Sequence, residues 1–134
     1  MTRQAVDIGV PPTRRLSGPA LRTFFRIAEV WGLNNEQQRV LLGSPSRATL
    51  FRWAKAPETV DLSPDTLERI SYVLGIYKAL HLLFTDRAQA DGWVHRPNAG
   101  SIFNGQTAIE RMLGGQVVDL YAVRRYLDGQ RGWN

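Results

Sequence analysis

Two histidines, His81 and His95, and twelve scattered carboxylates are the groups of this chain most suited to proton transfer or metal binding. Neither histidine has a nucleophile or a second ligand at a recognisable spacing, so no hydrolytic triad or metal site is implied. His81 falls near the end of a helical stretch, where a partly buried structural role, favoured by the helix C-terminus, is expected. The acids stand singly and offer no paired general acid and base. Gly114-Gly115 lacks the spaced glycines and following lysine of a phosphate-binding loop, and no Gly-x-Ser-x-Gly elbow occurs. The absence of cysteine removes disulfides, thiolate metal sites and cysteine nucleophiles. The sequence therefore reads as a non-enzyme, with no catalytic residue, no metal and no cofactor.

The cations are more informative. There are 17 Arg and Lys against 12 Asp and Glu, a net charge of +5, and only Lys55 and Lys78 are lysine. Residues 1–62 carry nine cations against five acids, and residues 63–134 eight against seven, so the surplus sits in the first half. Arginine suits phosphates, base edges and planar polar partners; a GC-rich genome would produce the same bias, and both explanations stand at this point. A chain of 134 residues with 43% hydrophobic and 22% charged residues is an ordinary globular composition, enough for one domain or two small modules sharing a core. No apolar run approaches the roughly 20 residues that span a bilayer. Met1 to Pro12 carries Asp7 and no apolar signal core, which makes a cytoplasmic protein the expectation.

Periodicity assigns the elements that must position these side chains. Residues 1–16, with Pro11, Pro12 and Thr13-Arg14-Arg15, read as a loose arm, either a disordered tail or a DNA-contacting one. Ser17 is a plausible N-cap for a helix that carries Leu21, Phe24, Phe25, Ala28 and Trp31 and stops at Gly32. A short helix follows Asn34 or Asn35, with Val40, Leu41 and Leu42, and ends at Gly43. Ser46 caps a third helix from Arg47 to Lys55, with Ala48, Leu50, Phe51 and Ala54 as its inward residues. Ser63-Pro64-Asp65 starts the longest stripe, Leu67, Ile70, Val73, Leu74, Tyr77, Leu80 and Phe84, with Gly75 as a weak point. Residues 86–105 read as loop. Helices are expected from about Gln106 to Leu113 and from about Val117 to Asp128, with Gly129 to Asn134 as a flexible tail. No strand alternation or internal repeat is evident. The fold class is all-α: an arm over 1–16, a helix-turn-helix region over 17–62, and a spine helix with a small helical domain over 63–134.

The segment Asn34 to Lys55 has the layout of a helix-turn-helix, whose second helix enters the major groove. With Leu50, Phe51 and Ala54 turned inward, Ser46, Arg47, Thr49, Arg52 and Lys55 form the candidate DNA-binding face. From Ser44 to Lys55 there are three cations and no acid. Trp53 is assigned to packing. The alternative is a plain solvated helix face.

Further on, Trp93, Pro97-Asn98, Ile102-Phe103-Asn104-Gly105, Ala108, Met112-Leu113, Gly115 and the run Val123-Arg124-Arg125-Tyr126-Leu127-Asp128 follow in order. In this set the chain resembles the MbcA/ParS/Xre antitoxin family, over roughly residues 20–130 and best from Trp93 to Gly132. Members of that family join an Xre-like helix-turn-helix to a C-terminal toxin-binding domain. The resemblance implies a type II toxin–antitoxin module. In it the chain would neutralise a RES-type, NAD-consuming toxin by blocking its active site, bind operator DNA to repress its own operon, and form a homodimer. Tyr, Trp and Arg are enriched at interface hot spots. The candidate toxin-binding residues are accordingly Tyr121, Arg124, Arg125, Tyr126, Arg131, Trp133 and Asn134, with Arg131 and Trp133 as anchors over the toxin's substrate entrance. The alternatives are a stand-alone helix-turn-helix regulator with a ligand-sensing or dimerisation domain at its C-terminus, and a purely structural adaptor. The first lacks a charged cluster suited to a metabolite, and the second leaves the basic first half without a purpose.

Overall fold

A computed structural model describes the backbone of residues 12–132 and the side chains of residues 15–132. Among the described residues there are seven α-helices: α1 (Pro12–Val30), α2 (Asn35–Leu41), α3 (Arg47–Lys55), α4 (Pro64–Leu83), α5 (Arg87–Gly92), α6 (Ala108–Met112) and α7 (Val117–Gln130). Short 3-10 turns occupy Pro57–Thr59 and Trp93–His95. Among the described residues the sole β feature is an isolated bridge between Pro97 and Thr107, so the chain is all-α as its periodicity implies. None of these helices is long and apolar enough to cross a membrane.

The first helix starts earlier than its cap signal suggests. Residues 12–16 of the expected arm are helical, and residues 1–11 lie outside the described residues. Ser17 is therefore not an N-cap. It is fully buried inside α1, and its Oγ accepts a hydrogen bond at 2.8 Å from the backbone N–H of Leu62, itself only 3% exposed. A serine that looks like a helix start instead satisfies a buried donor of the segment leading into α4. One face of α1, with Leu21, Phe24, Ala28 and Trp31, is almost completely buried.

α2 and α3 are set by their caps. Asn34 and Gln37 form a reciprocal capping box at the start of α2. Gly43 and Ser44 both take positive φ, 94° and 65°, which reverses the chain within two residues. Ser46 then caps α3, its Oγ accepting from the Thr49 N–H at 3.1 Å. This turn fixes the rotation of α3, and it differs from the expected one. Leu50 is buried and Trp53 is half-buried against the core, whereas Ala48, Phe51 and Ala54 face outward, Phe51 with 49% exposure. The i, i+3 pair of Leu50 and the larger Trp53 fills the space that an i, i+4 pair of Leu50 and Ala54 would leave underfilled.

α4 is the spine. Ser63 caps it, Pro64 occupies its first turn, and Ile70, Val73, Ile76, Ala79 and Leu80 are all buried. α1 packs along one side and α7 along another. Residues 86–105 are not simply loop. Asp86 caps α5 through the Ala88 N–H at 3.2 Å, and Ala90 and Val94 are completely buried beneath α4 and the C-terminal helices. Their small apolar side chains, spaced at helical intervals, were masked in the sequence by the turn-forming residues around them. Both histidines are consumed in joining these parts. His81 Nε2 lies 2.7 Å from Asp91 Oδ1, linking α4 to α5, and His95 Nε2 lies 2.6 Å from the Trp31 carbonyl oxygen at the end of α1. At the other end, α7 continues through Gly129 to Gln130, and Arg131 closes it with its N–H on the Leu127 carbonyl.

The buried Ser17–Leu62 bond provides a direct stability test. Ser17→Ala leaves the Leu62 N–H unsatisfied, which costs about 1–3 kcal/mol. The expected outcome is a lowered midpoint in thermal or urea unfolding followed by circular dichroism, with Ser63→Ala, the true cap of α4, costing a further ~1 kcal/mol.

Candidate functional site

α3 presents a positive face. Ser46, Arg47, Arg52 and Lys55 are exposed and Thr49 is half-buried. Among the described residues Arg47, Arg52 and Lys55 have no carboxylate partner, because the nearby acids are taken elsewhere: Glu36 pairs with Arg39, and Glu58 with Arg22. The Arg47 guanidinium lies over the Phe51 ring at 5.7 Å from its centroid, a cation–π contact that holds it along the helix. Ser46 and Thr49 are differently employed. Their hydroxyls bond each other at 2.9 Å as part of the cap, so they shape the start of α3 more than they extend from it. Sequence reasoning missed Phe51, which was assigned inward, and Arg26. Arg26 on α1 borders a shallow depression whose far side is Ala54 and Pro57, and it extends the basic face beyond α3. Only the packing angle of α1 against α3 brings these residues together.

The C-terminal candidates divide into two groups. Tyr121 is 41% exposed, and Arg125 donates a hydrogen bond from Nη1 to its hydroxyl at 2.9 Å. With Val118 one turn earlier they form an outward stripe at i, i+3 and i+7 along α7. The edge of Tyr72 on α4 supports the Tyr121 ring at a centroid distance of 5.8 Å. The Tyr72 hydroxyl donates to Glu68 at 3.3 Å; partial burial and then the neighbouring Glu68 carboxylate raise its pKa above the ordinary 10.0.

Arg124, Tyr126 and Arg131 are spent on the domain's own structure. Arg124 Nε donates to both oxygens of Asp128, at 3.3 and 3.2 Å, and its guanidinium lies against Gly75. A Cβ at Gly75 would come within 1.7 Å of Arg124 Nη1. The apparent weak point of the spine helix is thus the notch through which α7 approaches it. Tyr126 stacks on Trp93 at 6.3 Å and meets Phe103 edge-on at 5.1 Å. The Arg131 side chain is only 13% exposed and lies 3.7 Å from Asp128. Trp133 and Asn134 lie outside the described residues.

The ordered motifs of this half build its scaffold. Asn98 Oδ1 accepts from the Gly100 N–H at 2.7 Å, and its backbone N–H and carbonyl bond Gln106 and Gly105. Asn104 and Gly105 turn the chain with φ of 55° and 80°, and Phe103 is buried between Trp93 and Tyr126. Arg111 reaches the Ile102 carbonyl at 2.9 Å and Asp119 at 3.1 Å, while Asp119 completes the cap of α7. Arg69 of α4 donates to the Gly115 carbonyl at 3.2 Å. Val118, Tyr121 and Arg125, with Gln130 at its end, are the side chains that this scaffold leaves exposed on α7. No group of three or more metal-ligating side chains occurs among the described residues.

Residues 11–75 match the antitoxin Xre-like helix-turn-helix domain, and residues 79–132 match the antitoxin Xre/MbcA/ParS C-terminal toxin-binding domain. The chain is also 53% identical over 112 residues to y4oB of Sinorhizobium fredii, a protein described as uncharacterized, with 84% of each chain covered. The boundary between the two domain matches falls inside α4, not before it.

The division of the C-terminal residues is measurable without a partner. Tyr126→Ala removes a ring from a three-ring cluster, and a loss of about 2–4 kcal/mol in unfolding free energy is expected. Tyr121→Ala, at the surface, should cost under ~1 kcal/mol. Equal losses in a denaturant titration would contradict this assignment.

Proposed function

The chain belongs to the Xre/MbcA/ParS antitoxin family, and from that premise we propose that it neutralises a RES-type, NAD-consuming toxin and represses its own operon as a homodimer. The observation that carries this reading is the division of surface chemistry along the two matched domains. The first domain carries an outward helix with three cations and no carboxylate partner among the described residues. The second carries an aromatic, arginine-bearing stripe on a rigid scaffold. The first suits a polyanion, since unpaired cations gain most from phosphate contacts and counterion release. The second suits a protein partner, where Tyr and Arg dominate binding energy.

In this reading Arg47, Arg52 and Lys55 of α3 meet the operator. Arg52 reads a base edge and the others hold the backbone, with Ser46 and Thr49 orienting the first turn. On the toxin side Tyr121 and Arg125 make the surface contact, and Trp133 and Asn134 cover the toxin's substrate entrance. Arg124, Tyr126 and Arg131 contribute by holding α7 and its end in place. Neutralisation is steric: the antitoxin need only occupy the route by which NAD reaches the toxin. No chemistry on the antitoxin is required, and the chain acts without a cofactor.

Two experiments test the two halves separately. Arg52→Ala should weaken binding to the DNA upstream of its gene by about 1–3 kcal/mol if it pairs with a guanine edge, and affinity for that DNA should fall steeply with added salt. A variant lacking residues 133–134 and carrying Tyr121→Ala and Arg125→Ala should keep DNA binding and stability. Co-expressed with the neighbouring toxin gene, it should fail to neutralise, and growth arrest and NAD loss should appear. Full neutralisation by this variant would move the toxin contact elsewhere on residues 79–132.

A further inference from the structure

An uncharged hollow of about 190 Å³ lies beside the last turn of α7, lined by Leu83, Phe84, Trp93, Tyr126, Leu127 and Gln130. On α7 its residues stand roughly 150° around the helix from the Val118–Tyr121–Arg125 stripe. Leu127 is buried, and Leu83, Phe84, Trp93 and Tyr126 are packed on the core while still lining the hollow. A cavity of roughly 150 Å³ holds a benzene ring, so this one has room for one large aromatic side chain. The end of α7 aims a side chain at it. Gly132 takes a φ of 82°, and its N–H bonds the Gly129 carbonyl at 3.0 Å. That is the inner bond of a Schellman motif, in which the residue after the left-handed glycine turns back onto the last turn of the helix. The same motif closes α1. There Gly32 has a φ of 64°, its N–H bonds the Glu29 carbonyl at 3.0 Å, and the following residue, Leu33, is only 7% exposed. The residue that follows Gly132 is Trp133. The contact that accompanies the motif falls five or six positions back, at Asp128 or Leu127, and Leu127 lines the hollow.

We propose that the hollow is the seat of Trp133 of the same chain, whose indole packs on Leu127 and joins the Trp93–Phe103–Tyr126 cluster as a fourth ring. The lining suits an indole: its walls are apolar and aromatic, and aromatic pairs gain beyond their buried area. A buried indole N–H needs an acceptor, and Gln130, exposed at the rim, carries an amide oxygen that can accept it. Because the seat lies at a helix end, emptying it frays the last turn of α7 and leaves the core packed. The ring is thus anchored to its own domain, not to the toxin. A tail held there before the toxin arrives covers the toxin's entrance without having to be ordered on binding. That consequence rests on the toxin reading above; the hollow, the cap at Gly132 and the precedent at Gly32 do not.

The test uses the full chain without a toxin. Its four tryptophans give four indole N–H signals in a nitrogen–proton correlation spectrum, and Trp133→Phe identifies that of Trp133 by its loss. The Trp133 ring should show nuclear Overhauser contacts to the Leu127 and Leu83 methyl groups. Its N–H should exchange with water about tenfold or more slowly than that of free tryptophan. Leu83→Arg, which puts a charge on the wall of the hollow, should abolish both effects. Should Leu83→Arg fail to fold, Gly132→Val keeps the question open to refutation. A Cβ at Gly132 meets nothing within 4 Å, so that substitution acts through the positive φ alone and releases the ring with the hollow intact. A wild-type Trp133 without these contacts and with the exchange rate of free tryptophan overturns the proposal, the result expected if a toxin side chain fills the hollow. So do contacts that persist in Gly132→Val. Against the toxin of the neighbouring gene, Gly132→Val should bind about tenfold more weakly, and an affinity equal to wild type overturns the role given to the seat. A seated Trp133 in a chain that does not bind that toxin leaves the seat standing and removes the toxin reading. Toxin binding by a chain whose Trp133 is unseated does the reverse.

Discussion

α4 is covered on one side by α1 and on another by α7, and the rest of the chain is arranged to make both coverings possible. A 20-residue helix with apolar side chains on more than half of its circumference cannot be buried by one neighbour. Each fully buried Ile, Val or Leu on it contributes roughly 1.5–3 kcal/mol only when both neighbours are in place. The helix-turn-helix half and the C-terminal half therefore share a core, although they match separate domains. The junctions are polar as well as apolar. Ser17 satisfies the Leu62 N–H where the chain enters α4, and His95 binds the last turn of α1 from the far half.

This shared spine explains why two binding surfaces can stay chemically distinct on so small a chain. The first half keeps cations on α3 without a carboxylate partner among the described residues, while Glu36 and Glu58 pair with Arg39 and Arg22. In the second half Arg111 and Arg124 are used inward, at Asp119, Asp128 and the Ile102 carbonyl, and Tyr121 and Arg125 are left outward on α7. An arginine count alone would assign both halves to the same kind of partner. What separates them is whether each guanidinium has a local acceptor.

Gly75 shows how such a structure tolerates a residue that weakens a helix. A glycine in a helix interior costs up to about 1 kcal/mol relative to alanine. Here it opens a notch that Arg124 crosses on its way to Asp128, which brings α7 close to α4.

The helical class, the caps at Asn34, Ser46 and Ser63, the stops at Gly32 and Gly43, and the basic segment over 44–55 were legible in the residues themselves. They depend on local rules: a short polar side chain that accepts a backbone N–H, a positive φ that glycine adopts, a stripe that repeats every three or four residues. The family resemblance was legible for a related reason, since its motif residues, Asn98, Phe103, Gly105 and Gly115, are those that local turns and the aromatic cluster require. What the sequence could not settle was every choice made by a neighbour. Ser17 reads as a cap until Leu62, 45 residues away, arrives with a donor. Phe51 and Ala54 read as core until Trp53 fills the space beneath α3. Arg124 and Tyr126 read as surface until Gly75 and Trp93 stand opposite them. Periodicity finds the apolar face of a helix, but the rotation of that face, and the acceptor that claims each arginine, are fixed by side chains that meet only in three dimensions.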